Sequence, residues 1–275
     1  MGTGTQTNCS LQPGITKNVT VVLGGAKSPI NALELLMNLI SITNADRGKN
    51  KKEISEFLSD PHGNETISVL QDCAKVVERI SGNSPSSLGL HPAVYFYTDR
   101  GRHIPDLLIG ILYLIKTKLD NNDSIFFKKF TENRKVIEDY LVTNKSLITQ
   151  ALQLSRSAVR YERVADLYEF LLQEAAAGKS INDENMIGVV APGAVSKVLA
   201  ISQKPSTSKF SSETKSEIFI RQSLQNSMKC PICNGHIDAS KSASYDHVVR
   251  VQDGGLGGAE NGQITHPYCN TAMKN

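Results

Sequence analysis

The chain reads as an α+β protein, with a mainly α-helical N-terminal body followed by a small C-terminal module. Three observations lead there. From about residue 28 to residue 200, apolar residues recur at three- and four-residue steps, the repeat of amphipathic helices. Ser202–Ser216 then holds eight Ser or Thr in fifteen residues, with Pro205 and three lysines, which is linker composition. Finally, the 46 residues from Cys230 to Asn275 concentrate Cys, His, Asp and Asn at short, regular spacings. These features assign residues 1–205 to the body and residues 206–275 to a linker helix and the module.

Taken in order, residues 1–18 are rich in Gly, Thr, Asn and Gln and are expected to form a loose or extended arm, and Val19–Leu23 a short strand. Helices are expected over Pro29–Ile42, Thr66–Ile80, Pro105–Lys118, Ser124–Val142 and Lys145–Glu174, separated by breaks with turn chemistry, including Pro61–Asn64, Gly82–Ser87 and Gly178–Asp183. Residues 94–97 fit a strand or the start of another helix equally well. After the linker, Thr214 followed by Glu217 has the form of a capping box opening a helix that leads to Cys230.

At 275 residues the chain suffices for one large or two ordinary domains, and 40% hydrophobic with 21% charged residues is ordinary soluble composition. A formal charge of +3 is too small to make the whole surface a polyanion binder, so nucleic-acid contact would need local patches. Arg156, Arg160 and Arg163 form one candidate stripe at helical spacing. Lys116, Lys118, Lys128, Lys129, Arg134 and Lys135 form a second cluster. No basic stretch leads into an apolar core at the start of the chain. The longest apolar run, near Ile104–Ile115, contains Pro105, Asp106 and Gly110 and is too short to span a bilayer. Five cysteines, three of them in the last 46 residues, do not resemble an extracellular disulfide framework, so a cytoplasmic protein without membrane attachment is expected.

Cys230-Pro-Ile-Cys233 has the form of a knuckle presenting two thiolates to one ion, with Gly235 expected to supply backbone freedom. His266-Pro-Tyr-Cys269 repeats the two-residue gap. Together the four residues make a Cys₃His set, the composition of a structural Zn²⁺ site. The need is physical. So short a segment buries too little apolar surface to fold alone, whereas a structural zinc contributes roughly 10–16 kcal/mol of apparent binding energy. His236 is the competing candidate ligand, but His266 preserves the paired spacing.

Between the pairs lies Tyr245-Asp246-His247-Val248, whose surroundings read as a strand, followed by the glycine-rich loop of residues 253–258, Asn261, and Asn270 directly after Cys269. This succession resembles the HNH endonuclease family, over roughly residues 228–275. The resemblance implies a zinc-stabilised ββα-metal fold and phosphodiester hydrolysis. It implies His247 as general base, Asp246 and Asn270 as ligands of a catalytic Mg²⁺ or Mn²⁺, and Asn261 as the residue that orients the His247 ring or braces the loop. The family's final histidine is Asn270 here, in keeping with a hard metal. Lys274 lies within reach of a phosphate. DNA is the implied substrate, with RNA as the alternative, in a bacterial setting such as restriction or antiphage defence where a sensor or ATPase subunit works the nuclease. A non-catalytic zinc module that binds nucleic acid or a protein also accounts for the cysteines and His266. It gives no reason for Asp246, His247, Asn261 and Asn270.

Overall fold

The computed structural model describes residues 29–57, 59–200 and 209–274. The arm and strand expected before residue 24, and most of the linker, lie outside these residues. The body is helical, as its periodicity predicts: α1 (Pro29–Thr43), α2 (Asn64–Ile80), α3 (Pro92–Tyr95), α4 (Pro105–Asp120), α5 (Ser124–Glu132), α6 (Arg134–Thr143), α7 (Lys145–Leu154), α8 (Arg160–Ala176), α9 (Asp183–Val190) and α10 (Val195–Ala200). The apolar run of α4 is a core helix, packed chiefly on α8 and bordered by α1, α2 and α5. Among the described residues no helix is long and apolar enough to cross a membrane.

Two long helices expected from periodicity are each broken. Ser124–Val142 divides at Asn133, whose side chain turns back to donate to the Lys129 carbonyl at 2.8 Å. Lys145–Glu174 divides at Ser155, whose hydroxyl donates to the Leu152 carbonyl at 2.8 Å before a 3₁₀ turn, Ser157–Val159, restarts the chain as α8. Short polar side chains that bond their own backbone compete with the helix ladder. Tyr95 ends α3, and Tyr97 beyond it bridges to His103, so residues 94–97 contain both a helix end and an isolated bridge.

The last body-to-module helix, α11, runs Ser212–Gln225. Its cap is Ser211, whose hydroxyl accepts from the Thr214 amide at 3.1 Å, three residues before the expected cap at Thr214. Leu224 of α11 is buried in the main core and Ile220 packs against it. The module continues as two antiparallel strands, β1 (Ser244–His247) and β2 (Gly262–Thr265), with Asp246 opposite Gln263 and His247 opposite Gly262. A π-helical turn, Cys269–Met273, follows, giving the order strand, strand, helical turn.

A ledge of body residues, Gly82–Leu90, receives the module. It is pinned to the end of α2 by Leu88 N–H donating to the Arg79 carbonyl (2.8 Å) and Leu90 N–H to the Ile80 carbonyl (2.9 Å). The module answers with Tyr268 N–H to the Ser87 carbonyl (2.9 Å), Thr271 Oγ1 to the Pro85 carbonyl (2.7 Å) and Ser242 Oγ to the Gly82 carbonyl (2.5 Å). The Arg79 guanidinium lies 4.0 Å from the Phe127 ring centroid and 4.8 Å from that of Tyr268, a cationic bridge between body and module.

Candidate metal centre and adjoining polar site

Cys230, Cys233, His266 and Cys269 are all buried, and their ligand atoms lie within 4.8 Å of one another. The tight turn of the first pair is closed by Asn234 N–H to the Cys230 carbonyl (2.8 Å) and Cys230 N–H to the Gly235 carbonyl (2.9 Å). Asn234, at φ 56°, is the left-handed residue of this turn, not Gly235 as expected. Gly235 is needed for a different reason: a Cβ there would stand 2.5 Å from Arg134 Nε.

His266 Nδ1 is 3.3 Å from Cys233 Sγ and 3.8 Å from Cys269 Sγ, while Nε2 sits 3.0 Å from the His236 carbonyl. A proton held on Nε2 by that carbonyl leaves Nδ1 bare toward the sulfurs, the second-shell arrangement that prepares a histidine for a metal. Burial lowers the His266 pKa and favours the neutral ring a ligand requires. His236 is instead engaged by Ser227 Oγ at 2.6 Å from its Nδ1 and stands outside the cluster.

Hydrogen bonds from the Cys233 and Cys269 thiols pull Cys230 well below the ordinary thiol range. The two donors are pushed up, Cys233 to about 11. A cation bound among the three sulfurs would favour the thiolate form of each. The donor set fits a metal ion such as zinc, whose tetrahedral sites join Cys and His at about 2.0–2.3 Å.

Behind the knuckle, Arg134 and Glu138 of α6 form a fully buried ion pair, Nε to Oε1 at 2.6 Å. Arg134 also donates to the Leu88 and Gly89 carbonyls of the ledge, at 2.5 and 2.9 Å. Glu138 accepts from Tyr95 Oη at 2.8 Å and from the His236 amide of the module at 2.6 Å. Burial alone would raise the Glu138 carboxyl, but the Arg134 charge and the His236 N–H outweigh it and hold the pKa below the ordinary range. Arg134 is thus a structural residue between body and module, not part of a basic patch. The rest of that expected cluster is largely paired: Lys116 with Asp120, Lys118 with Glu169, and Lys135 with Asp139.

The candidate residues of the second half of the module lie on β1 or next to it. Asp246 is buried and Tyr245, its neighbour, is 81% exposed, the alternation of a strand. The Asp246 carboxylate accepts from Gln263 Nε2 at 2.8 Å across the ladder and from Lys274 Nζ at 2.8 Å (Oδ1) and 2.9 Å (Oδ2). The same ammonium also donates to the His247 carbonyl. Asp246 is therefore held in an ion pair with Lys274. Asn270, on the π-helical turn, donates through Nδ2 to Ser244 Oγ at 2.8 Å, which places it beside β1. His247 is half-buried, and among the described residues its ring forms no hydrogen bond.

Of the two roles expected for Asn261, the geometry bears on the brace. Its Oδ1 accepts from the Val249 amide at 2.7 Å, and its Nδ2 donates to the Val249 and Leu256 carbonyls at 3.0 and 2.8 Å. Those bonds close the loop after β1, where a Cβ on Gly255 would collide with the Val249 carbonyl.

Arg156, Arg160 and Arg163 do not share one helical face. Arg156 precedes the 3₁₀ turn, Arg160 opens α8 and pairs with Asp106 at 3.4 Å, and Arg163 pairs with Asp166 at 3.1 Å. Helical spacing in sequence is no guide where Ser155 breaks the helix. The ledge and the Arg134–Glu138 pair escaped the sequence reading. The i,i+4 spacing of the latter is shared with any solvent-exposed pair.

No protein-family model, curated protein or solved structure matches this chain.

Proposed function

We propose that the chain is a metal-dependent HNH-type endonuclease that hydrolyses phosphodiester bonds of DNA. The observation that carries this reading is the strand–strand–turn order beside a Cys₃His cluster, with Asp246 and His247 on β1, Asn270 next to that strand, and the Lys274 ammonium on the Asp246 carboxylate. The family resemblance supplies the roles. His247 takes the proton of the attacking water, for which a ring free of hydrogen bonds is suited. Asp246 offers carboxylate oxygen, and Asn270 offers Oδ1, because its Nδ2 is committed to Ser244. When bound there, Mg²⁺ or Mn²⁺ neutralises charge on the reacting phosphate and its leaving oxygen. Asn261 keeps the loop after His247 closed, and the Cys₃His zinc fixes the scaffold.

The reading extends by resemblance to a cytoplasmic enzyme of bacterial restriction or antiphage defence, with the helical body binding substrate or a sensor or ATPase subunit. RNA is the alternative substrate. One observation favours a non-catalytic zinc module instead: Tyr245, Val248, Val251 and Leu256 are exposed on and after β1, a surface suited to a protein partner.

Plasmid cleavage with Mg²⁺ or Mn²⁺ separates the two. His247→Ala is expected to stay folded and zinc-loaded and to lose cleavage by at least ~100-fold, in line with loss of a general base. Cys230→Ser is expected to lose zinc and unfold the module. Cleavage by His247→Ala at the parent rate would remove His247 as the base. If the parent, with its partner subunits, cuts neither DNA nor RNA, the non-catalytic reading prevails.

A further inference from the structure

We infer that Lys274 and the catalytic cation compete for one seat, so that the site takes up its metal ion together with nucleic acid and stays closed to it otherwise. This inference rests on the nuclease reading above. Three oxygens converge on Lys274 Nζ: Asp246 Oδ1, Asp246 Oδ2 and the His247 carbonyl. Oxygen donors from a carboxylate and a backbone carbonyl gathered on one point are the makings of a hard-cation site, and here an ammonium fills it. The pair is sheltered, with Asp246 6% and Lys274 22% exposed at their side chains, so the attraction is screened less than at an open surface. Gln263 holds Oδ2 from the opposite strand and so helps to orient the carboxylate toward this point.

The seat cannot hold both cations. A divalent ion approaching Asp246 must displace the ammonium, and the displaced ammonium then needs an anion. Lys274 follows the π-helical turn that carries Asn270, so it remains beside the site after it lets go. A phosphodiester at the site is the natural acceptor: it draws the ammonium off Asp246 and offers its own oxygens to the incoming ion. Metal and nucleic acid thereby bind with positive coupling, and by linkage each raises the affinity of the other by the same factor. Without substrate, Lys274 keeps the carboxylate neutralised.

Mn²⁺ binding to the zinc-loaded full chain, followed by the loss of the free-ion electron paramagnetic resonance signal, tests this without reference to turnover. A soft Cys₃His site retains zinc against Mn²⁺. For the parent, a phosphorothioate DNA duplex that resists hydrolysis is expected to lower the half-saturating Mn²⁺ concentration at least tenfold. Lys274→Gln is expected to bind Mn²⁺ at a lower half-saturating concentration than the parent without DNA and to gain less from DNA than the parent does, whereas Lys274→Arg behaves as the parent. Asp246→Asn is expected to lose the Mn²⁺ site. A parent half-saturation unmoved by DNA, or a Lys274→Gln value within twofold of the parent's, overturns the competition while leaving the nuclease reading intact. Retention of the Mn²⁺ site by Asp246→Asn instead removes Asp246 as the metal ligand, and both readings fall.

Discussion

The backbone of Gly235 packs against the side chain of Arg134, close enough that a single added carbon would stand 2.5 Å from Nε and 2.7 Å from Cδ. The metal knuckle and the helical body meet at this contact. The glycine belongs to the module, the arginine to α6, and neither has room to retreat: Arg134 is fixed by Glu138 and by two ledge carbonyls.

Gly235→Ala should therefore destabilise the protein by about 1–3 kcal/mol through overpacking against a side chain that cannot move. Gly188→Ala, in α9 with nothing within 4 Å of the added carbon, is the matched control and should be neutral or stabilising by up to about 1 kcal/mol. Denaturant unfolding of the two variants decides the matter. Equal midpoints would mean that the knuckle does not press on Arg134 in solution.

Arg134→Met should cost about 3–5 kcal/mol, because it leaves the Glu138 carboxylate buried without its countercharge. Replacing both, as Arg134→Met with Glu138→Leu, should cost less than the sum of the singles, although Tyr95 Oη and the His236 amide then lose their acceptor. A double-mutant cycle by chemical denaturation measures the coupling. Additivity within a few tenths of a kcal/mol would deny the pair any special role.

Acidification should weaken the fold through His91. Burial is the main cause that drives its pKa down to about 4, and its Nδ1 has no hydrogen-bond partner. Asp238 and Glu138 oppose the shift, whereas His236 and Lys145 reinforce it. Here the folded value lies below the unfolded value near 6.5. The unfolded chain thus binds the extra proton between those limits, and stability falls as pH drops from 6.5 toward 4, by at most about 3 kcal/mol. His91→Asn should flatten the decline in melting temperature between pH 7 and pH 5. An unchanged slope would assign the acid sensitivity to other groups, with His236, also held neutral by burial, first among them.

The readable parts of this chain are those where the physics is local. Two residues between paired ligands force a tight turn, so Cys230, Cys233, His266 and Cys269 could be grouped from spacing alone, and the four do converge. Helix periodicity located α1, α2 and α4 to within two residues at each end. What sequence spacing misses is decided by tertiary contact or by a single polar side chain. Asn133 and Ser155 each break a helix whose apolar repeat continues through them. Arg134 and Glu138 look like a solvated pair until the module covers them. Gly235 looks like a turn residue because its packing partner lies about a hundred positions earlier in the chain.

The Gly82–Leu90 ledge bears on how the tail behaves once severed. Ser87, Pro85 and Gly82 offer carbonyls that Tyr268, Thr271 and Ser242 take up. A tail cut free at residue 209 would carry these donors, and the bare underside of its knuckle, into water. A metal ion bound at the Cys₃His cluster would still gather the sulfurs, yet the flank that α6 now props would have nothing to lean on. The tail is thus a headpiece seated on a plinth, and any loosening of the plinth reaches the residues around Asp246 through the same bonds that hold it upright.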